Sequence, residues 1–135
     1  MKNVNKNQLI AILIISAILF FSVSSFIIPK HLPSFDINSS YMEVHRNGNT
    51  ETFDLPVNEI SEYLKELKYV RSFMKDKFDA DENEIMCYLV NSEGYYQFFV
   101  TDHVYLFIGS STIYYKITND APLMNYLYSV AGITK

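Results

Sequence analysis

Apolar positions along the chain follow three patterns: one unbroken run, a series of alternations and two helical stripes. The run is Leu9 to Ile28, a 20-residue window with 16 apolar side chains, four serines and no charge. At about 1.5 Å rise per residue it makes a helix of about 30 Å, the depth of a bilayer hydrocarbon core, with its backbone hydrogen bonds satisfied internally. Ser16, Ser22, Ser24 and Ser25 are tolerable there, because a hydroxyl can bond to a carbonyl about one turn earlier. Pro29 and Lys30 close the run.

Alternation dominates the later part of the chain. Ile85, Cys87 and Leu89 alternate with Met86, Tyr88 and Val90, and Tyr96, Phe98 and Val100 alternate with Tyr95, Gln97 and Phe99. A two-residue loop at Glu93-Gly94 would pair Leu89 with Phe98 and Cys87 with Val100. An odd loop through Asp102 puts Val104, Leu106 and Ile108 on the same face. A loop around Ser110-Ser111 pairs Ile108 with Ile113, Leu106 with Tyr115 and Phe107 with Tyr114. These registers agree on a four-stranded meander with one aliphatic face. An earlier hairpin turns at Asn47-Gly48-Asn49. Gly48-Asn49 as its loop sets Val44 against Phe53 and Met42 against Leu55; Asn47-Gly48 shifts that pairing, and the first is preferred.

Helical spacing appears twice. Asp54 can cap a helix entered through Pro56, with Val57, Ile60, Leu64 and Leu67 along one stripe. That stripe either runs on through Val70, Met74 and Phe78 or breaks near Ser72. A last helix begins at Asp120 or Ala121 with Pro122 in its first turn, carries Leu123, Leu127 and Val130, and stops at Gly132. Singly striped helices and a sheet with one aliphatic face predict two layers. The expected fold is α+β: a transmembrane helix, then a small antiparallel sheet (hairpin plus meander) with two helices packed on one face. Residues 1–8 would be cytoplasmic, 9–28 the anchor, 29–40 a polar stalk and 41–135 one extracytoplasmic domain.

Charge sharpens the topology. Residues 1–35 carry Lys2, Lys6 and Lys30 and no acid, whereas residues 36–135 carry all 15 acids against 8 Lys and Arg, a net of −7. Lys2, Lys6 and the terminal amine against Lys30 alone predict a cytoplasmic N-terminus and a single-pass protein of the cell membrane with its domain outside. The rival is a signal peptide cut near Ser25, giving a secreted protein. The apolar run is longer than the usual leader core and continues past that cut as Phe26-Ile27-Ile28, so an uncleaved anchor is preferred. The acidic domain excludes a long phosphate-neutralising surface, so no nucleic-acid partner is expected. Cys87 is the only cysteine, which excludes an intrachain disulfide.

Candidate chemistry is sparse. Asp79-Ala80-Asp81-Glu82-Asn83-Glu84 begins like a calcium loop, but its sixth position holds Glu84 in place of glycine and its twelfth holds Val90 in place of a carboxylate. His31, His45 and His103 stand at no metal-ligand spacing. Cys87, on the aliphatic face, reads as a buried hydrophobe. There is no Gly-x-Ser-x-Gly elbow and no phosphate loop. No catalytic residue, metal or cofactor is assigned, and the chain is not read as an enzyme. The alternative of an envelope hydrolase rests on an acid pair that sequence does not reveal.

The second face of the meander is different. Tyr88, Tyr95, Phe99, Tyr105, Phe107 and Tyr114 lie on it, with Gln97, Thr101, Thr112 and Lys116 among them, and Tyr88 is expected opposite Phe99. Open, this is an aromatic platform suited to binding. Alternatively the early hairpin or the 73–78 segment folds over it as a second core layer, or the face serves as a homo-oligomer contact.

The run EIMCYLVNSEGYYQFFVTDHVYLFIGSSTIYYKITND, with the apolar N-terminus and the helix around NEISEYLKELKYV, resembles small membrane-anchored or secreted proteins of low-GC Gram-positive bacteria. That resemblance implies a setting and transfers no functional residue. The expected function is a membrane-anchored extracytoplasmic binding module for a protein or envelope component. An immunity or inhibitor protein that neutralises a basic partner is the nearest alternative.

Overall fold

The computed structural model describes residues 5–34, 36–72, 84–108 and 114–134. The first element, α1 (Lys6–Ile27), is one apolar helix whose side chains are not buried by the rest of the protein. Asn5 caps it: its side chain accepts from the Asn7 N–H, and Gln8 reaches back to the Asn5 N–H at 3.1 Å. Ser24 and Ser25 donate to the Phe21 and Ser22 carbonyls, both at 2.9 Å. These two serines therefore satisfy their hydroxyls within the helix, which is long and apolar enough to cross a membrane.

The strands β1 (Lys30–His31), β2 (Ser39–Arg46), β3 (Asn49–Asp54), β4 (Lys68–Ser72), β5 (Glu84–Val90), β6 (Tyr95–Val100), β7 (Val104–Ile108) and β8 (Tyr114–Ile117) form one open antiparallel sheet. Its spatial order is β1-β4-β8-β7-β6-β5-β2-β3. The helices α2 (Val57–Glu66) and α3 (Ala121–Val130) bury Ile60, Leu64, Leu123 and Leu127 against the aliphatic face. Met42, Val44, Ile85, Cys87, Leu89, Phe98, Val100, Val104, Leu106 and Ile117 supply that face, each at most 1% exposed. The alternation in each strand thus becomes a two-layer α+β domain. At its end α3 is closed by Gly132 at φ +63°, with the Ile133 N–H bonding back to the Tyr128 carbonyl.

Several local expectations change. The early hairpin turns at Asn47-Gly48, with φ +51° and +78°, so Val44 faces Glu51 and Met42 faces Phe53. A two-residue turn with both central φ positive suits Asn-Gly, whose first residue tolerates the left-handed region and whose second has no Cβ. The β5–β6 loop has four residues in place of two, so Leu89 faces Tyr96, Cys87 faces Phe98 and Tyr88 faces Gln97. Asn91 organises it, accepting from the Glu93 and Gly94 N–H groups at 2.9 and 2.8 Å. The shift is even, so every side chain keeps its face. The expected pairings of Leu106 with Tyr115 and Phe107 with Tyr114 are present. Ile113 lies outside the described residues.

Asp54 belongs to β3 and makes no cap; Pro56 precedes the helix without a side-chain cap bond. The helical stripe stops at Glu66, and Lys68–Ser72 is a strand. Met74 and Phe78 lie outside the described residues. The reason is long-range: Asn119 accepts from the Lys68 N–H at 2.7 Å and donates to the Glu66 carbonyl at 2.7 Å, which ends α2 and starts β4. Residues 29–40 are not a polar stalk either. Lys30 and His31 pair with Tyr69 and Lys68, the Leu32 N–H bonds to the Leu67 carbonyl, and Leu32 and Ile37 pack on the core.

Candidate functional site

The register puts Tyr41, Tyr88, Gln97, Phe107 and Tyr114 in one row across the second face, and Glu43, Met86, Phe99, Tyr105 and Lys116 in the next. All six aromatic residues singled out from the sequence therefore share that face, in two clusters. Phe99, Phe107 and Tyr114 form one, with ring centroids 4.7 Å apart for the first pair and 4.0 Å, edge to face, for the second. Tyr105 sits beside them, 8% exposed, so its ring acts as packing material more than as a contact surface. The early hairpin does not fold over the face; it widens the sheet as β2 and β3. Residues 73–78 and Thr112 lie outside the described residues.

The other cluster is the more accessible. Tyr41 stacks on Tyr88 at 4.8 Å and 17°, and Tyr95 stands 6.5 Å from Tyr88 at a tilt of 54°. Tyr95 is 49% exposed. These rings, with Val90, Asn91 and Gly94, line a shallow cleft of about 400 Å³. Tyr41 was missing from the sequence-based set. Its signal was its alternation with Met42 and Val44, but its role depends on β2 pairing with β5, which no local pattern encodes.

Polar groups frame this corner. The Tyr88 hydroxyl and the Gln97 amide both point at the Met86 sulfur, at 3.7 and 3.6 Å, weak contacts that fix the two side chains side by side. Burial, then the charge of Glu43 and a hydrogen bond to it, push the Tyr88 phenol up to about 12. The phenol is therefore a neutral donor at physiological pH, beside a carboxylate. Glu43 also lies 3.9 Å from His45 Nε2, while His45 Nδ1 meets the Thr50 hydroxyl at 2.8 Å. Flat π faces next to a carboxylate form a surface suited to a cation, since ring quadrupole and charge pull the same way.

Other ionisable groups hold elements of the fold together. Asp120 Oδ2 accepts from the Val104 N–H at 2.9 Å and meets His103 Nδ1 at 3.2 Å, tying α3 to the β6–β7 turn. Tyr126 stacks on Tyr63 at 4.7 Å and donates to Glu59 at 3.0 Å; burial, then that bond, push its phenol up to about 12. Burial pushes the Cys87 thiol up to about 12, so it stays protonated in the folded state at physiological pH. His31, His45 and His103 fall in three separate places, and among the described residues no group of three or more His, Cys, Asp or Glu side chains could hold a metal. Of the acidic stretch, Glu84 opens β5 and residues 79–83 lie outside the described residues. No family model, curated protein or solved structure matches the chain.

Proposed function

We propose that this is a single-pass membrane protein that holds its α+β domain outside the cytoplasmic membrane and binds a cationic segment of a protein partner at the Tyr41–Tyr88–Tyr95 corner. The observation that carries the reading is the tyrosine stack with Glu43 at its side, lining an exposed cleft. The apolar helix supports the anchor, and the excess of Lys2 and Lys6 over Lys30 supports the orientation. The acidic balance of residues 36–135 favours a basic partner, as an immunity or inhibitor role would need.

Photo-crosslinking in the native membrane tests this. A crosslinker in place of Tyr95 should give one recurrent protein adduct whose yield falls with added salt and with Glu43→Gln. The same crosslinker in place of Asn125, exposed on α3 behind the sheet, should give none. Equal yield from position 125, or a yield indifferent to both salt and Glu43→Gln, refutes the reading. An adduct with a second copy of this chain makes the corner a homodimer contact and refutes it as well.

A further inference from the structure

Only Ile28 and Pro29 separate the last residue of α1 from Lys30, which is already hydrogen-bonded into the sheet. Even fully extended, that connection reaches about 10 Å, so the β1–β4 edge stays close to the end of the helix. Arg71 of β4 makes the proximity specific. Its guanidinium carbon lies 5.5 Å from the centre of the Phe26 ring, in the last turn of α1. With α1 across a bilayer, Phe26 lies at the boundary of the hydrocarbon, and the guanidinium above it lies at the depth of the headgroups.

Lys30 belongs to the same place. It faces Tyr69, and Arg71 follows Tyr69 by two residues on the same side of the sheet, so the two cations are diagonal neighbours. The ion pairs among the described residues are Glu43–His45, Glu62–Lys65 and Asp120–His103, and neither Lys30 nor Arg71 takes part in one. Tyr69 and Tyr115, edge to face at 5.1 Å, stand beside them. A guanidinium fork and an ammonium, unpaired by any carboxylate among the described residues and flanked by tyrosine at the mouth of an apolar helix, match a phosphodiester.

We propose that Lys30 and Arg71 hold the phosphate of an anionic phospholipid headgroup and thereby lay the β1–β4 edge of the sheet against the bilayer. This rests on α1 spanning the membrane. The rest of the sheet agrees with it: the opposite edge strand, β3, carries Glu51 and Asp54, which an anionic surface repels. At about 4.8 Å per strand, β5 and its Tyr88 stand about 19 Å along the sheet from β4, leaving the tyrosine corner clear of lipid.

The test uses the full chain in nanodiscs of phosphatidylcholine, alone or with phosphatidylglycerol, each holding a fixed fraction of headgroup-nitroxide lipid. A fluorophore is placed at Thr118→Cys, near the basic edge, or at Glu51→Cys, at the acidic one, in a Cys87→Ala background. Adding phosphatidylglycerol should increase quenching at position 118 and leave position 51 unchanged. Two basic groups at an anionic surface change the docked-to-free ratio by about thirtyfold. Lys30→Glu with Arg71→Glu should abolish the increase, while Lys30→Arg with Arg71→Lys should retain most of it. Identical circular dichroism and equal quenching in phosphatidylcholine alone establish that the charge-reversed chain is folded. Quenching at position 118 that ignores lipid charge, or an increase that survives charge reversal, overturns the proposal. Failure of the chain to stay with either nanodisc refutes the anchor itself, a separate outcome read by flotation.

Discussion

Raising the pH from 8 to 10 should destabilise the domain through Cys87, and the size follows from burial. The thiol is 0% exposed, and its pKa rises from 9.0 to about 12 in the folded state. A group raised on folding stabilises fully below its unfolded value and loses that contribution as pH climbs toward the folded one; here the window is pH 9 to 12. At pH 10 the unfolded thiol is ionised about ten to one while the folded one stays protonated, which favours the unfolded state by about 1 kcal/mol. Urea denaturation in detergent, followed by far-ultraviolet circular dichroism at both pH values, reads this for the parent chain and for Cys87→Ala. Tyr88 and Tyr126 have the same sign over pH 10 to 12 and remain in both proteins, so the difference between the two pH dependences isolates the thiol. The parent should lose about 1 kcal/mol more than the variant. Equal losses, or alkylation of the folded protein at the rate of a free thiol, would show that Cys87 is accessible and that the aliphatic face is not closed by α2 and α3.

Two further predictions concern the frame that presents the site. Leu106→Ala, at a fully buried position in the middle of the sheet, should cost about 3 kcal/mol by the same denaturation measurement, and a cost under about 1 kcal/mol would mean that the helices do not pack there. Asn119→Ala removes both bonds at the junction of α2 and β4, and should cost about 1–2 kcal/mol with amide exchange accelerated first at Lys68.

What could be read from the sequence was what depends on parity. The even shift in the β5–β6 loop left Cys87, Leu89 and Phe98 inside and Tyr88, Gln97 and Phe99 outside, so the two faces were assigned correctly although their pairings were not. What escaped was non-local. Leu67, Val70 and Met74 continue a helical stripe by spacing alone, but pairing with β8 and the bonds of Asn119, both remote in the chain, make Lys68–Ser72 a strand. The same strand captures Lys30 and His31, so the missed strand and the expected stalk are one error. Tyr41 escaped for a related reason: the early hairpin has a hydrophobic face of its own, but nothing local assigns it to β5 as neighbour.

This non-local strand also decides what the domain can offer. Because β4 takes up β1 directly after α1, the sheet is fixed at its first edge, and its width sets how far each later strand stands from the helix. The aliphatic face is occupied by α2 and α3, so the stack of Tyr41 and Tyr88 contributes nothing to that core. Stacked rings on a sheet give about 0.5–1.5 kcal/mol to stability, a small part of a marginally stable domain. A side chain so lightly tied to folding can be tuned for a ligand at little structural cost, whereas Phe98, one residue from Gln97 and on the opposite face, cannot. In the proposed reading, the Tyr41–Tyr88–Tyr95 corner and the core closed by α2 and α3 lie on opposite sides of the sheet, so substitutions at Tyr41 and Tyr95 should separate partner binding from folding.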